Sequence, residues 1–378
     1  MIRGRRVHLT GSASADCDSE LLAVAHAFVR KAAQWAIAEG AGLVVGAGAE
    51  PRGDHGEPCI FDWTALDVVA SAPDPAPEWP ALQPDRFVVV ASRRGTERVP
   101  NDRFETWSSC QRRSDFELVV TPHGWRMGGV IRERQVARGD VLLVLGGGAG
   151  AEHLADLYRR EGKPVVPIHS ELSAHHGNGG GGGRLLHERA LGDPHDFFRL
   201  RAGSGDEAAR LLGLRLTVET EPAELAKELV GLLADLRPPT AFYVRLLDTD
   251  DSNYRVVESF FRDVVDVVVS ERGFTPREMG RDRPEEAFMN VEIFKGIHYA
   301  GLVVVDLTGV RPNCTMELGY ALARRRRFVI SARSGTNLPF DQDKLPTYFW
   351  DPSTGPEDQI TAYREWLDRY GNLPPIVE

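Results

Sequence analysis

Gly301–Ser331, GLVVVDLTGVRPNCTMELGYALARRRRFVIS, carries a strand, a loop, a carboxylate-bearing helix and a second strand in one compact run. Leu302 to Val305 are continuously apolar, the pattern of a parallel strand buried on both faces, and Asp306 closes that strand at its carboxyl end. Asn313 is an N-cap residue type, which predicts that Glu317 lies in the first turn or so of the following helix. Ligands of open α/β sheets bind beyond the carboxyl ends of the strands, so Asp306 and Glu317 are expected to face one crevice. The helix dipole also favours a Glu in a first turn, and that is the purely structural alternative for Glu317.

The segments Asp306-Leu307-Thr308-Gly309, Pro312-Asn313 and Met316-Glu317-Leu318-Gly319-Tyr320-Ala321 resemble the signature of the nucleoside 2-deoxyribosyltransferase family and its TIR-like relatives, over about residues 240–335. The resemblance implies that Glu317 is the nucleophile at the anomeric carbon of a sugar. Cleaving an N-glycosidic bond passes through an oxocarbenium-like state, so a carboxylate must meet the anomeric carbon while a second group holds the sugar hydroxyls. Asp306 is expected to fill the second role. Tyr243 and Arg245 are two apart on the strand Ala241–Leu247 and therefore share a face. They are expected at the same crevice, Tyr243 as a hydrogen bonder near the carboxylate and Arg245 towards a phosphate, with a half-exposed strand face as the alternative. Asn313 is a candidate nucleotide contact whose plainer role is helix capping, and Cys314 reads as packing.

The length of 378 residues suggests two to three domains, and 42% hydrophobic content is ample for packed cores. With 45 basic and 55 acidic residues the net charge is −10, which argues against nonspecific binding to nucleic acid or an anionic membrane. Cys17, Cys59, Cys110 and Cys314 are scattered singly, so neither a zinc site nor a disulfide framework is indicated. No stretch is shaped like a signal peptide and none approaches the roughly 20 apolar residues of a membrane helix, so a cytoplasmic protein is expected.

The N-terminal half opens with a strand over Arg5–Thr10, a turn at Gly11-Ser12-Ala13 and a helix from Ser19 to Glu39. Leu43–Val45 and Arg86–Ala91 supply further strands, the first followed by Gly46, Gly48 and Gly53 and the second by Arg93-Arg94. A helix over Met127–Ala137 carries Arg132. The strand Asp140–Leu145 then empties into Gly146, Gly147, Gly148, Ala149 and Gly150 at a helix start, where backbone N–H groups and the helix dipole suit a phosphate. Glycines are also required there for tight βα geometry alone. Gly11, Ser12, Arg132, Gly146, Gly147, Gly148 and Gly150 are the candidate nucleotide contacts. This half, over about residues 1–215, resembles the SLOG superfamily of Rossmann-like nucleotide-binding domains, which includes the LOG-type phosphoribohydrolases and sensor domains of bacterial defence proteins. The LOG loop reads PGGxGTxxE and ends in a catalytic Glu, whereas here Gly146, Ala151 and Leu154 occupy the Pro, Thr and Glu positions. Binding without hydrolysis is the implied outcome, unless Glu152 replaces the missing carboxylate.

Gly179–Gly183 reads as a flexible insertion, and His175-His176 beside it lack partners at metal-ligand spacing. Arg237-Pro238-Pro239 gives the strongest boundary signal. Residues 1–215 are read as a SLOG-like sensor domain, 216–239 as a helical linker and 240–378 as a deoxyribosyltransferase-like or TIR-like domain. The fold class is α/β, with two doubly wound parallel sheets in tandem, Rossmann-like and then flavodoxin-like; residues 335–350 are unplaced and read as a lid or a contact surface. The expected function is a sensor–effector pair in anti-phage defence. The first domain would bind a nucleotide-derived signal and the second would cleave an N-glycosidic bond of a nucleotide such as NAD. No cofactor or metal is called for, a small nucleotide is the expected partner, and the resemblance implies a homo-oligomer. A non-enzymatic nucleotide-binding module and a metabolic nucleoside 2-deoxyribosyltransferase are the alternatives.

Overall fold

The computed structural model describes residues 2–73, 79, 85–122, 124, 128–172, 182–201, 205–278, 289–339 and 341–371. The chain divides into two compact units between Arg237 and Pro238. In the first, β1 (Arg6–Ser12), β2 (Gly42–Gly46), β3 (Phe87–Ser92), β4 (Phe116–Thr121), β5 (Val141–Gly146), β6 (Val165–Ser170) and β7 (Arg215–Leu216) form one parallel sheet in the order β4-β3-β2-β1-β5-β6-β7. Every residue of β5 is buried, as an unbroken apolar strand covered on both faces requires. The helix Ser19–Ala38 buries Ala25, Phe28, Val29, Ala32, Ala33 and Ala36 at helical spacing. Asp18 caps it, its carboxylate accepting from the Glu20 and Leu21 amides at 2.7 and 3.1 Å. Strand order reverses between β1 and β5, so the crevice for a ligand lies at their carboxyl ends, where Gly11, Ser12 and Gly146 sit.

The second unit holds β8 (Thr240–Val244), β9 (Thr275–Glu278), β10 (Leu302–Asp306), β11 (Phe328–Arg333) and β12 (Thr347–Trp350), all parallel, in the order β12-β11-β10-β8-β9. Counted within the unit this is the 2-1-3-4-5 order of flavodoxin-like sheets, with its switch point between β8 and β10. Phe242, Val244, Val303 and Val305 face one side and pack with residues of the helices Met289–Tyr299 and Pro312–Ala323. Tyr243, Val304 and Val329 face the other and pack with residues of the helical stretch that starts at Tyr254 and of the helix Pro356–Tyr370.

Several elements depart from sequence expectation. β4 was not anticipated: Glu117 interrupts its short apolar run, and the strand is half-buried with Val120 exposed before Thr121. β12 lies inside the unplaced segment 335–350 and pairs with β11 at the sheet edge. The helix Pro222–Leu233, read as part of a linker, buries Ala226, Leu229, Val230, Leu232 and Leu233 in the core of the first unit. Of the segments named from the sequence, His175, His176 and Gly179–Gly181 lie outside the described residues.

Candidate functional site

Each unit has a polar cluster at its switch point. In the first, Gly11 has φ +151, and a Cβ there would lie 1.8 Å from the Leu145 carbonyl oxygen, so only glycine lets β1 pass this close to β5. The Gly147 amide donates to the Ser12 carbonyl at 2.7 Å, and a Cβ on Gly147 would lie 3.7 Å from the Gly11 Cα. The helix Ala149–Arg160 starts straight after Gly148 with no side-chain cap, and the space a Gly148 Cβ would enter is open. Arg132 comes from the helix Gly128–Arg138, and its guanidinium stands 3.5 Å from where a Gly150 Cβ would be. Its Nε donates to His153 Nδ1 at 2.9 Å, which fixes the guanidinium beside the first turn. Gly11, Ser12, Arg132, Gly146, Gly147, Gly148 and Gly150 are thus neighbours around one loop, and the loop combines uncapped amides, a dipole and an arginine, the chemistry of an anion site.

Glu152 is not directed at that opening. Its Oε1 accepts a hydrogen bond from the Gly182 amide at 2.8 Å. Gly182 and Gly183 are buried against the loop, and a Cβ on Gly182 would lie 2.1 Å from the Gly147 carbonyl oxygen. The end of the glycine run is therefore a packed element and not a loose insertion. Sequence reasoning missed it because five consecutive glycines carry no side-chain periodicity, although close backbone contact is a second reason for glycine.

In the second unit Asp306 is 1% exposed and fully engaged. Its Oδ1 accepts from the Thr308 amide at 3.0 Å, and its Oδ2 accepts from the Ser331 hydroxyl at 2.8 Å and the Trp350 indole N–H at 3.0 Å. Burial raises its pKa against the lowering pull of these donors. Asp306 thus ties β10 to β11, β12 and the loop that follows, on the sheet face that Trp350 shares with Tyr243 and Val304.

Glu317 belongs to the opposite face. Its helix begins at Pro312 with Arg311 as the N-cap residue, so Asn313 is an exposed first-turn residue and Glu317 falls in the second turn. The dipole effect fades within the first turn and does not account for Glu317. The side chain is half-buried, and burial, with no offsetting charge or donor among the described residues, pushes its pKa up to about 7. Burial, and after it the charges of Glu317 and Asp306, pushes the Cys314 thiol up to about 12, which makes it a packing residue and a poor nucleophile.

Tyr243 and Arg245 do share a face, but it is the one opposite the Glu317 helix. Tyr243 is 4% exposed, meets Phe261 edge-on at 5.0 Å, and has its pKa raised by burial and then by Asp266. Arg245 is buried between two carboxylates, with Nε 2.7 Å from Glu278 Oε2 and Nη2 on both Glu278 and Glu258. It completes an interior ion pair. Arg245→Met should cost about 3 kcal/mol in urea unfolding of the second unit by leaving Glu278 buried without its cation, with no change in nucleotide KM. A raised KM with intact stability would restore Arg245 to the site.

Residues that sequence reasoning passed over lie at the carboxyl ends of the second unit's strands. Arg311 bridges Asp248 at 3.0 Å and Asp251 at 3.1 Å, and Arg333 donates to the Asn253 side-chain oxygen at 3.1 Å, so the loops after β8 and β10 are tied together. Between them Gly309 and Val310 are both left-handed, φ +74 and +46, and a β-branched residue there holds a strained loop. Their position at strand carboxyl ends was the available signal. Among the described residues no group of His, Cys, Asp and Glu could hold a metal, and no described helix is long and apolar enough to cross a membrane.

Residues 2–222 match the protein family described as ATP nucleosidase Cap17-like, N-terminal. The chain belongs to this Cap17-like family. Two curated members of matching sequence, both ATP nucleosidase Cap17 from Escherichia coli, one of them from strain KTE188, are each 27% identical to it over 194 residues. That alignment covers 51% of the chain and 37% of each relative, so the chain spans little more than a third of their length. A solved CMP N-glycosidase of Clostridium botulinum, BcmB, matches 35% of the chain and 100% of its own at 12% identity and a TM-score of 0.24, a likeness too slight to bear on fold or function. The Cap17-like match falls within the first unit and includes both the Gly11 turn and the Gly146–Gly150 loop.

Proposed function

We propose that this Cap17-like protein cleaves the N-glycosidic bond of a nucleotide, with the first unit binding a nucleotide at its glycine loop and the second carrying the chemistry at Glu317. One observation carries the reading: a half-buried carboxyl without a partner among the described residues, its pKa about 7, stands on the helix that follows the switch-point strand. An ionised Glu317 would stabilise the positive charge that develops at the anomeric carbon as the base departs, or bond to that carbon in place of the base until water displaces it. The proposed substrate is an adenine nucleotide, ATP first, because the curated relatives are named ATP nucleosidases. A sensor–effector arrangement in anti-phage defence extends the same reading.

Two experiments test it. Purified protein incubated with ATP, NAD and deoxynucleosides should release free base from the nucleotides; if none is released under any condition, the two-unit binding module replaces the enzyme. Because the ionised form of Glu317 is the active one, kcat/KM should rise from pH 5 to pH 8 with an apparent pKa near 7. A flat profile would remove Glu317 from the chemistry.

A second reading places the chemistry in the first unit, and it is favoured by the family match lying within residues 2–222. It needs Glu152 as the reacting carboxylate. Base release that survives Glu317→Gln and is lost in Glu152→Gln would establish it.

A further inference from the structure

We infer that Glu152 is a positioning residue, one that clamps the start of the helix Gly183–Gly192 onto the glycine loop and so sets the shape of the nucleotide site. This rests on the nucleotide-binding reading of the first unit and goes beyond it by giving Gly182 and Gly183 a function. Three observations support it. Glu152 sits in the first turn of the helix Ala149–Arg160, and its carboxylate reaches across to the Gly182 amide at 2.8 Å. Gly182 has φ +72, and Cβ atoms at Gly182 and Gly183 would lie 2.1 Å from the Gly147 carbonyl oxygen and 2.9 Å from the Gly146 nitrogen, so the two main chains are in direct contact. The Gly182 carbonyl in turn accepts from the Leu186 amide at 2.9 Å, which carries the clamp into the second helix.

Physically, a glycine segment has the most conformational freedom to lose, and holding it in one place needs a strong, directed contact. The hydrogen bond that the Glu152 side-chain oxygen accepts from the Gly182 amide supplies that contact. Once seated, Gly182-Gly183 packs on the backbone of Gly146 and of left-handed Gly147, the residues that aim the following amides at the opening. Removing the clamp would let the loop sample other shapes, and a ligand would then have to order it on binding. The same contact explains why a carboxylate is tolerated in the first turn of a helix offered to an anion: its charge is turned away onto Gly182.

The experiment compares Glu152→Gln, Glu152→Leu and Gly182→Ala in the full chain. Gln keeps an oxygen that accepts from the Gly182 amide, Leu removes it, and Gly182→Ala forces the segment off the loop while leaving Glu152 intact. Hydrogen exchange of the Arg184–His187 amides, measured without ligand, should quicken at least about tenfold in Glu152→Leu and Gly182→Ala and stay near wild type in Glu152→Gln. ATP affinity, measured by calorimetry, should weaken about tenfold in the same two variants only. Unchanged exchange in Glu152→Leu, or equal loss of affinity in Glu152→Gln, overturns the clamp. Wild-type protein that binds no ATP refutes the nucleotide reading instead, and the exchange comparison still decides the clamp.

Discussion

Glu317→Gln is expected to lower base release at least about a hundredfold at saturating nucleotide while leaving the protein folded. Gln keeps nearly the same shape and removes the charge. If the transition state leans on that charge, each 1.4 kcal/mol of lost stabilisation is about tenfold in rate, and removal of a single electrostatic stabiliser commonly costs on the order of a hundredfold to a thousandfold. The stability change runs the other way. Burial raises the Glu317 pKa from 4.5 to about 7, so the folded protein keeps a proton that the unfolded chain releases, and stability is lost as pH rises between those values. Gln has no proton to lose. The variant should therefore melt at a relatively higher temperature than wild type at pH 8, with the difference shrinking towards pH 5. Loss of activity with gain of stability is a pattern that a structural role for Glu317 does not produce. Full activity in the variant would remove Glu317 from the mechanism.

Gly11→Ala is expected to unfold the first unit or destabilise it by more than about 4 kcal/mol. The new Cβ would sit 1.8 Å from the Leu145 carbonyl oxygen, at φ +151, and that oxygen belongs to the backbone of the neighbouring central strand. Backbone cannot swing aside as a flexible side chain can. Overpacking costs typically 1–3 kcal/mol and strained dihedrals a further ~1–3, and here both fall on the central strand pair of the sheet. Gly148→Ala is the matched control, because its Cβ would meet nothing within 4 Å and its backbone is extended. It should leave urea unfolding within about 1 kcal/mol of wild type while weakening nucleotide binding, since the methyl group would enter the space over the helix start. Equal stability of the two variants would show that β1 and β5 do not approach as described.

The α/β class, the parallel sheets and the glycine loop at a strand end are all readable from the sequence. The signals are local: unbroken apolar runs and glycines at βα turns. The cluster of Gly11, Ser12, Arg132 and Gly146–Gly150 was readable too, because strand–turn–helix order alone places such residues at one sheet edge. Tertiary structure decided the rest. Alternation shows that Tyr243 and Arg245 share a face but not which face, and the crossover of the chain put them opposite the Glu317 helix, among Phe261, Glu278 and Glu258. Asp306 follows the parity of Val304, and its fate was settled by Trp350, on a strand 44 residues away that carries no recognisable pattern. Gly182 packs on Gly147 through backbone alone, and a contact without side chains leaves no periodicity to read. What raises the Glu317 pKa is likewise absent from the sequence: burial is a property of everything that packs around a residue, and only the folded chain assembles it.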